Sequence, residues 1–319
     1  MTTAIVLPYW LDRPALEALE IAANADKFGA GELWIGEMMT FDAFALAGAI
    51  AHQTEHLSLW VGPLAIGLRD PAALALGIAS IATIGGRVAN LALGASTPVV
   101  VSQWHGRPWE HPVELMRETV EAVRQIAAGE RSHFAGARVH SEGFRLAAGA
   151  QQVQLAIAAF GERMIRTAAA IGDRVVVNLL TPAQVGRVRR LVDTAAAAAG
   201  REPPPLVAWV PAALGSGGDT LAQLARQLVV YLAPPGYGEM FIDAGFGDVV
   251  RLARSGAHPR DVMARVSREL IDAVAALGTA DQVRARLSEY AAAGADVVAV
   301  VPATAEDPGG AELMQFLAG

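Results

Sequence analysis

Short runs of β-branched and other apolar residues alternate along the chain with longer amphipathic stretches, and this alternation restricts the fold more than any other feature. The short runs fit buried parallel strands, and the stretches between them fit crossover helices. Eight strands are predicted, at 4–9, 32–37, 57–65, 89–96, 153–160, 174–180, 205–212 and 295–302. Because each right-handed crossover places the next strand beside the last, this α/β pattern predicts a (β/α)8 TIM barrel ahead of an open doubly wound sheet.

Proline residues mark several predicted helix starts. Pro14, Pro71 and Pro182 are each expected in a first turn, and a further helix is predicted over 42–53. Three excursions interrupt the alternation: 97–111 after the fourth strand, 129–150 with a small hairpin, and 231–278 after the seventh strand, Gly/Pro-rich and then helical. We therefore expect residues 1–319 to form one barrel domain whose insertions lie at the carboxyl-terminal rim.

Composition excludes several classes of protein. The chain contains no cysteine, which rules out disulfides, thiolate nucleophiles and iron–sulfur clusters. A net charge of -7 leaves no large basic face for a nucleic acid. No apolar stretch of about 20 residues predicts a membrane span, and the first residues are unlike a signal peptide. We expect a cytoplasmic protein that acts on a small molecule.

Three stretches together resemble a known family, the bacterial luciferase-like barrels that use FMN or coenzyme F420. The first stretch runs from DKFGAGELWIGEMM to RVANLALGAS, the second is AIAAFGERMIRTAAAIGDRVVVNLLTP, and the third is LGTADQVRARLSEYAAAGADVVAVV. Together they cover over half the chain in the family's order. Within the family the chain is similar to actinobacterial F420-dependent oxidoreductases, which implies coenzyme F420 as cofactor, FMN as the alternative, and a homodimer.

The segment LWVGPLAIGLRDPA carries the most informative part of this resemblance. In the family, a bulge with a cis peptide bond supports the cofactor ring seven residues before an arginine. The resemblance thus places Gly62, Pro63 and Leu64 against the ring. A cis bond costs about 0.5–1 kcal/mol before proline and about 2.5–4 kcal/mol elsewhere. We expect a cis Gly62–Pro63 bond; an ordinary trans proline that closes a strand is the alternative.

Two further segments match family positions near the cofactor's tail and ring. Small residues at loop and helix starts let backbone N–H groups approach a phosphate, although they also close ordinary strand-to-helix turns. Asn178 and Thr181, after the sixth strand, are additional candidates, for which a turn or capping role is the alternative. The residues of the two segments are Gly94, Ala95, Ser96, Thr97, Ala159, Phe160, Gly161 and Glu162.

The chain departs from its sugar-phosphate dehydrogenase relatives where those handle protons. Their Asp-His pair is replaced by Glu37-Met38, and Thr97 stands where they carry an acidic residue. Glu37 is therefore a candidate contact for cofactor or proton, with a buried, satisfied carboxylate as the alternative. His105 is a candidate general acid beside the substrate, with an exposed loop histidine as the alternative.

Other residues fit structural roles better. His52 and His56 have metal-ligand spacing but precede the third strand, at the wrong end of a barrel, so no metal is expected. Trp34 and Trp60 lie mid-strand and are expected to pack in the core. The aromatic side chains that could line the pocket are Tyr9, Trp10, Phe160 and Tyr237.

The resemblance implies an F420-dependent oxidoreductase that transfers a hydride between the deazaflavin C5 and a small organic substrate, at a C=C, C=N or C=O bond. Three alternatives stay open: an FMN-dependent luciferase-like monooxygenase, a non-catalytic F420-binding protein, and a barrel without cofactor.

Overall fold

The computed structural model describes residues 4–37 and 39–319. The substitution at Met38 lies outside the described residues. The chain folds into two compact units. The first unit comprises 4–30, 177–190 and 206–319, and the second comprises 31–37, 39–176 and 191–205. The expectation of one domain over 1–319 stays a prediction.

Eight parallel strands, with helices between them, confirm the (β/α)8 barrel as the fold class. All eight predicted strands are present, most of them a few residues shorter than predicted. Three short strands were not among the eight, and two of these form the predicted hairpin. The strands are β1 (Ala4–Val6), β2 (Glu32–Ile35), β3 (Ser58–Ala65), β4 (Ala89–Gly94), β5 (His133–Ala135), β6 (His140–Glu142), β7 (Leu155–Ala158), β8 (Arg174–Asn178), β9 (Leu206–Leu214), β10 (Ala276–Gly278) and β11 (Val297–Pro302).

Helix starts follow the predicted caps at three of four places. Pro71 and Pro182 are first helical residues, and Asp42 caps the second helix. The prediction for Pro14 is wrong: residues 14–16 form a tight turn, with Glu17 N–H bonded to the Pro14 carbonyl at 2.9 Å, and the helix begins at Glu17. The helices are α1 (Glu17–Lys27), α2 (Ala43–Gln53), α3 (Pro71–Gly85), α4 (Pro112–Ala127), α5 (Glu162–Ile171), α6 (Pro182–Ala198), α7 (Gly218–Leu232), α8 (Tyr237–Asp243), α9 (Gly247–Arg254), α10 (Pro259–Met263), α11 (Arg268–Val274), α12 (Ala280–Ala292) and α13 (Ala311–Ala318).

In the second unit, β2, β3, β4, β7 and the start of β8 are neighbours in that order. Trp34 and Trp60 face each other across β2 and β3, and their rings stack at 4.6 Å between centroids. Both side chains are fully buried, and Arg174 lies over the Trp60 ring while pairing with Glu32 at 2.8 Å. The predicted packing role of the two tryptophans is therefore confirmed.

In the first unit, β11 lies between β1 and β9, and β10 extends the sheet beyond β9. The Trp10 indole donates to the Pro302 carbonyl at 2.9 Å, which ties the loop after β1 to the end of β11. The excursion at 231–278 contains α8 to α11, as its helical character predicted, and ends in β10.

The two excursions of the second unit are also ordered. The loop after β4 contains a π-helix, Val99–Trp104, which the sequence did not predict. The predicted hairpin forms from β5 and β6, paired antiparallel. Its turn is held by the Glu118 carboxylate of α4, which accepts hydrogen bonds from three backbone N–H groups, those of residues 137–139. These bonds lower the pKa of Glu118 more than desolvation raises it.

Candidate cofactor site

The carboxyl end of β3 has the predicted bulge. Its register against β4 shifts between Val61 and Leu64, and the Gly62–Pro63 bond is cis, which confirms that prediction. Gly62 has φ 125°, and a Cβ there would lie 2.0 Å from the Ala92 carbonyl oxygen. Only glycine fits this close approach of β3 to β4. Leu64 is fully buried, so it presents no surface to a ligand.

Small residues lie side by side where β3, β4 and β7 end. A Cβ built on Gly94 would be 3.3 Å from the Pro63 Cβ and 3.8 Å from the Ala158 Cβ. Pro63 and Ala158 are partly exposed. We call Pro63, Gly94 and Ala158 the platform. Its surface carries no long side chain of its own, and a flat ring can approach the backbone there more closely than over any larger residue.

The loop after β4 is fixed by side-chain bonds. The Trp109 indole donates to the Ala95 carbonyl at 2.9 Å, and the Thr97 hydroxyl accepts from Val100 N–H at 3.3 Å. Ser96 is exposed and has φ 57°, a left-handed conformation uncommon for a residue other than glycine. Thr97 therefore stabilises the start of the π-helix, while Ser96 is presented to solvent.

The loop after β7 leads into a helix start without a side-chain cap. Ala159 N–H bonds to the Val176 carbonyl at 3.0 Å, Phe160 is partly buried, and Gly161 has φ 74°. No side chain accepts from the first N–H groups of α5 within the described residues. Glu162 instead pairs with Arg166 at 2.6 Å. The amides at this helix start are thus available to an anion.

Glu37 is held in an ion-pair cluster at the carboxyl end of β2. Its two carboxylate oxygens accept from the Arg69 guanidinium at 2.6 and 2.7 Å, and one also accepts from Ala43 N–H at 2.9 Å. Arg69 also pairs with Asp42, which caps α2 through Phe44 and Ala45 N–H at 3.0 Å. Three N–H donors therefore fix the position of the Glu37 carboxylate.

The pKa values in this cluster agree with its geometry. The hydrogen bond from Arg69 to Glu37 raises the pKa of the guanidinium. Desolvation raises the pKa of Asp42, but its hydrogen bonds to Ala45 and Arg69 outweigh this and lower it. The cluster therefore places the Arg69 guanidinium between the carboxyl groups of Glu37 and Asp42. His105 lies apart from it in sequence, exposed at the end of the π-helix, just before Gly106, whose N–H donates to the Ser102 carbonyl at 3.1 Å.

Asn178 lies in the first unit, at the carboxyl end of β8. Its side-chain amide donates to the Tyr237 hydroxyl at 3.4 Å. Thr181, three residues on, accepts from Gln184 N–H at 3.2 Å and so caps α6. The capping alternative is thus the one the structure supports for Thr181.

The helix start after β11, also in the first unit, already binds carboxylates. Gly309 N–H donates to Glu17 at 3.0 Å, and the N–H groups of Glu312 and Leu313 donate to Asp307 at 3.1 Å. Loops after the last strands of (β/α)8 barrels are frequent phosphate sites. Here the chain's own acidic side chains take that place.

A cavity of about 420 Å³ lies at the opposite ends of the second unit's strands. Its lining comes from the starts of β3, β4 and β8 and the segment before β7, far along each strand from the platform. Arg174, the cation of this lining, is already paired with Glu32, and Asn90 accepts from Gln154 N–H at 3.1 Å. The lining residues are Ser58, Val88, Asn90, Gln152, Val153, Gln154 and Arg174.

Residues 4–37 and 39–319 contain neither a membrane span nor a metal cluster. None of their helices combines the length and apolar character needed to cross a membrane. In that same part of the chain, no three His, Cys, Asp or Glu side chains converge on a point where a metal ion could bind.

Two side-chain contacts were not predicted from the sequence. Arg69 entered only as a marker for counting residues, whereas it holds Glu37 and Asp42. The hydroxyl of Tyr237, taken only as an apolar wall, bonds to Asn178. An arginine in the loop after a strand, with acidic residues after the preceding strand, could have suggested the ion pairs of Arg69. No local pattern could have suggested the bond between Asn178 and Tyr237, because 59 residues separate them.

The model of the luciferase-like monooxygenase family matches residues 5–297. A 5,10-methylenetetrahydromethanopterin reductase of Methanolobus tindarius is 26% identical over 284 residues, 86% of this chain and 87% of that protein. The F420-dependent tetrahydromethanopterin reductase of Methanopyrus kandleri has a similar structure, with a TM-score of 0.82, 19% identity and coverage of 100% and 98%. An F420-dependent secondary alcohol dehydrogenase, solved with an F420-acetone adduct, has a TM-score of 0.81, 16% identity and coverage of 99% and 98%. The two structures show a shared fold, and the match to the family model shows that this chain belongs to the luciferase-like monooxygenase family.

Proposed function

We propose that the chain is an F420-dependent oxidoreductase that transfers a hydride between the deazaflavin C5 and a small organic substrate. The observation that carries this proposal is the platform, where Pro63, Gly94 and Ala158 lie side by side at the carboxyl ends of three strands. The similarity to proteins named as F420-dependent supports the choice of cofactor. When bound, the deazaflavin would supply the hydride chemistry.

The residues present fit such a group. The ring would rest on the platform, where a Cβ on Gly94 would intrude. An anionic tail would bind at the start of α5, where the N-cap residue makes no side-chain hydrogen bond to the first backbone N–H groups. Ser96 and Ala95 lie at the neighbouring strand end. The start of α13 does not compete for the tail, since Glu17 and Asp307 already accept hydrogen bonds from the backbone N–H groups there. Phe160, Gly161 and Glu162 would border the tail.

Glu37 and His105 are our proposed catalytic residues, with different roles. Glu37, fixed by Arg69, would orient polar groups of the cofactor or substrate. His105, exposed after the π-helix, would exchange a proton with substrate or water. The substrate bond would be C=C, C=N or C=O, for which the relatives' names offer a reductase and an alcohol dehydrogenase as precedents.

Fluorescence-quench titration of the purified protein with F420 and with FMN tests the proposal. We expect saturable binding of F420 and much weaker binding of FMN. Tight FMN binding, with oxygen consumption by the reduced flavin, would instead support a monooxygenase. F420 binding without oxidation of the reduced cofactor by enones, imines and carbonyls would support a storage or carrier protein. No binding of either cofactor would refute the proposal.

We also propose that the protein is a cytoplasmic homodimer whose copies meet through α2 and α3. α3 contains no charged residue, yet Leu76 and Ile84 are 52% and 65% exposed on it. A helix without charge whose large apolar side chains are exposed is normally covered. A second copy supplies the same uncharged face. Light scattering of the wild type and of Leu76→Glu/Ile84→Glu tests this: a dimer that becomes a folded monomer supports it, and a wild-type monomer refutes it.

A further inference from the structure

The cavity at the amino-terminal ends of the second unit's strands is lined mainly by polar side chains. Its volume of about 420 Å³ lies within the range of about 300–1,000 Å³ that is usual for small-molecule sites. Among the described residues that line it, Arg174 alone is charged, and the other polar groups are three side-chain amides and the Ser58 hydroxyl. The platform lies at the opposite ends of the strands, so this cavity is separate from the proposed cofactor site.

Arg174 is held in place while one edge of its guanidinium stays unused. Its Nη1 group donates to both carboxylate oxygens of Glu32, at 2.8 and 2.9 Å. Its Cζ atom lies over the Trp60 ring, 4.4 Å from the centroid. The Nε and Nη2 groups carry three further N–H donors, which bond to no other residue within 4–37 and 39–319. These two nitrogens form the fork that matches the two oxygens of a carboxylate.

Ser58 and Asn90 supply further donors from neighbouring strands. Asn90 is 5% exposed, and its side-chain oxygen accepts from Gln154 N–H at 3.1 Å. That bond orients the amide, whose nitrogen lies 3.5 Å from the Ser58 Oγ. An amide nitrogen has two N–H groups and a hydroxyl has one O–H group. Within the part of the chain that the structure describes, one N–H of Asn90 and the O–H of Ser58 therefore remain for a ligand.

These donors converge because their side chains share one face of the sheet. Residues two apart in a strand point to the same side, so Ser58 and Trp60 lie on one face of β3. Asn90 is opposite Trp60 in the register of β3 and β4, and Glu32 is opposite Ser58 in that of β2 and β3. Arg174 reaches the same face, because it contacts both Glu32 and Trp60. The starts of three strands thus bring their donors to one cavity.

The donor set favours a carboxylate over a phosphate. Unused N–H and O–H groups dominate the lining, so a ligand needs acceptor oxygens. A doubly charged phosphate would be poorly neutralised, because the described lining has one cation and Glu32 already pairs with it. A carboxylate needs only one guanidinium fork, and Arg69 shows that a single guanidinium of this chain can bind two carboxyl groups. The Gln152 and Gln154 amides, which offer donors and acceptors, suit hydroxyl groups on the same ligand.

We propose that this cavity binds a small hydroxycarboxylate, whose carboxylate accepts hydrogen bonds from Arg174, Ser58 and Asn90. Because Glu32 and Trp60 already fix the guanidinium, little side-chain freedom is lost when the ligand binds. Chemistry in (β/α)8 barrels takes place at the carboxyl ends of the strands, so we assign binding and no reaction to this site. A bound ligand would join β3, β4 and β8 and stabilise the folded protein.

Isothermal titration calorimetry of the purified protein with sodium lactate and with sodium gluconate, at constant ionic strength, tests the proposal. We expect saturable binding of at least one of them and a melting temperature that rises with its concentration. Val88 lines the cavity and is 52% exposed, so Val88→Glu puts a negative charge at its edge and should raise the Kd about tenfold or more. Arg174→Lys keeps the charge without the fork and should raise the Kd by a similar factor.

Val230→Glu is the matched control, because it makes the same change at a 48% exposed residue of α7, in the first unit. Its Kd should equal that of the wild type. The proposal is overturned if the wild type binds neither carboxylate saturably, or if Val88→Glu binds as tightly as Val230→Glu. Tighter binding of inorganic phosphate, weakened by Val88→Glu, would overturn the choice of a carboxylate. Urea denaturation checks the fold of each variant, and should Arg174→Lys not fold, the two valine variants decide the question alone.

Discussion

Replacing Gly94 by alanine should weaken cofactor binding without weakening the fold. The new Cβ would lie 3.3 Å from the Pro63 Cβ and 3.8 Å from the Ala158 Cβ, a contact that a shift of a few tenths of an ångström relieves. Gly94 lies in a strand with an ordinary extended backbone. A Gly-to-Ala change there lowers the conformational entropy of the unfolded chain, and this gain in stability offsets the cost of the tight contact. We expect the free energy of unfolding in urea to change by less than about 1 kcal/mol.

The effect on binding follows from the area of a flat ring. One face of an aromatic group covers about 100 Å², half of what such a group buries in total. At about 25 cal/mol per Å², a methyl that lifts the ring off the platform removes about 2.5 kcal/mol. This corresponds to a rise in Kd of roughly 60-fold. Fluorescence quenching with F420 measures it directly.

Gly186→Ala is the matched control for this substitution. Gly186 lies inside α6, where a Cβ would meet its nearest neighbour, the Ala293 carbonyl oxygen, at 3.5 Å, an ordinary contact. It should stabilise the protein by about 0.5–1 kcal/mol and leave the Kd unchanged. If Gly94→Ala binds F420 as tightly as the wild type while folding normally, the ring does not rest on the platform, and the site must be sought elsewhere.

Three further substitutions test the surroundings of the site. Gly62→Ala places a Cβ 2.0 Å from a carbonyl oxygen at φ 125°, so urea denaturation should show a loss above about 3 kcal/mol; a stable variant would contradict the bulge geometry. Arg69→Met leaves two carboxylates without their cation, and we expect a loss of about 1–3 kcal/mol that a second change, Glu37→Gln, partly restores; simple additivity would disprove their coupling. Glu17 has a pKa lowered below 4.5, because its bonds to Arg13, Gly309 and Thr304 outweigh the rise caused by desolvation. Its stabilisation is present above pH 4.5 and is lost as the pH falls through the lowered value, so Glu17→Gln should unfold with a shallower acid dependence. At pH 7 it should be less stable by roughly 1–3 kcal/mol, because buried donors lose their charged partner; equal slopes would be the contrary result.

The strands and most helix starts could be predicted because their signals are local. A β-branched run such as RVVVN, or a proline after Asp70, carries its own preference for a strand or a helix start. The failure at Pro14 has a local cause too, since a proline that opens a tight turn and one that opens a helix have the same φ. The π-helix after β4 was missed because its sequence, VVVSQW, is typical of a strand.

The site was predictable only where single residues determine the backbone conformation. A glycine before a proline at a strand end was enough to indicate the bend at 62–63, because both residue types restrict the backbone. The partners of Glu37 were not predictable in this way: Arg69 lies 32 residues away, and its side chain reaches Glu37 only once β2 and β3 are paired. The sequence therefore indicated which strand ends matter but not which side chains hold the carboxylate there.

Two helix starts show how the chain itself selects a place for an anion. Both α5 and α13 follow a strand and a glycine with positive φ, and by the helix dipole alone either would attract a phosphate. At α13, Asp307 and the distant Glu17 already neutralise the amides, so an incoming phosphate would have to displace two carboxylates and meet their charge. At α5 the first acidic residue, Glu162, turns back to Arg166 and leaves the amides open. An anionic cofactor tail is therefore expected at α5, and phosphate protection of backbone N–H exchange should appear at residues 162–164 and not at 311–313.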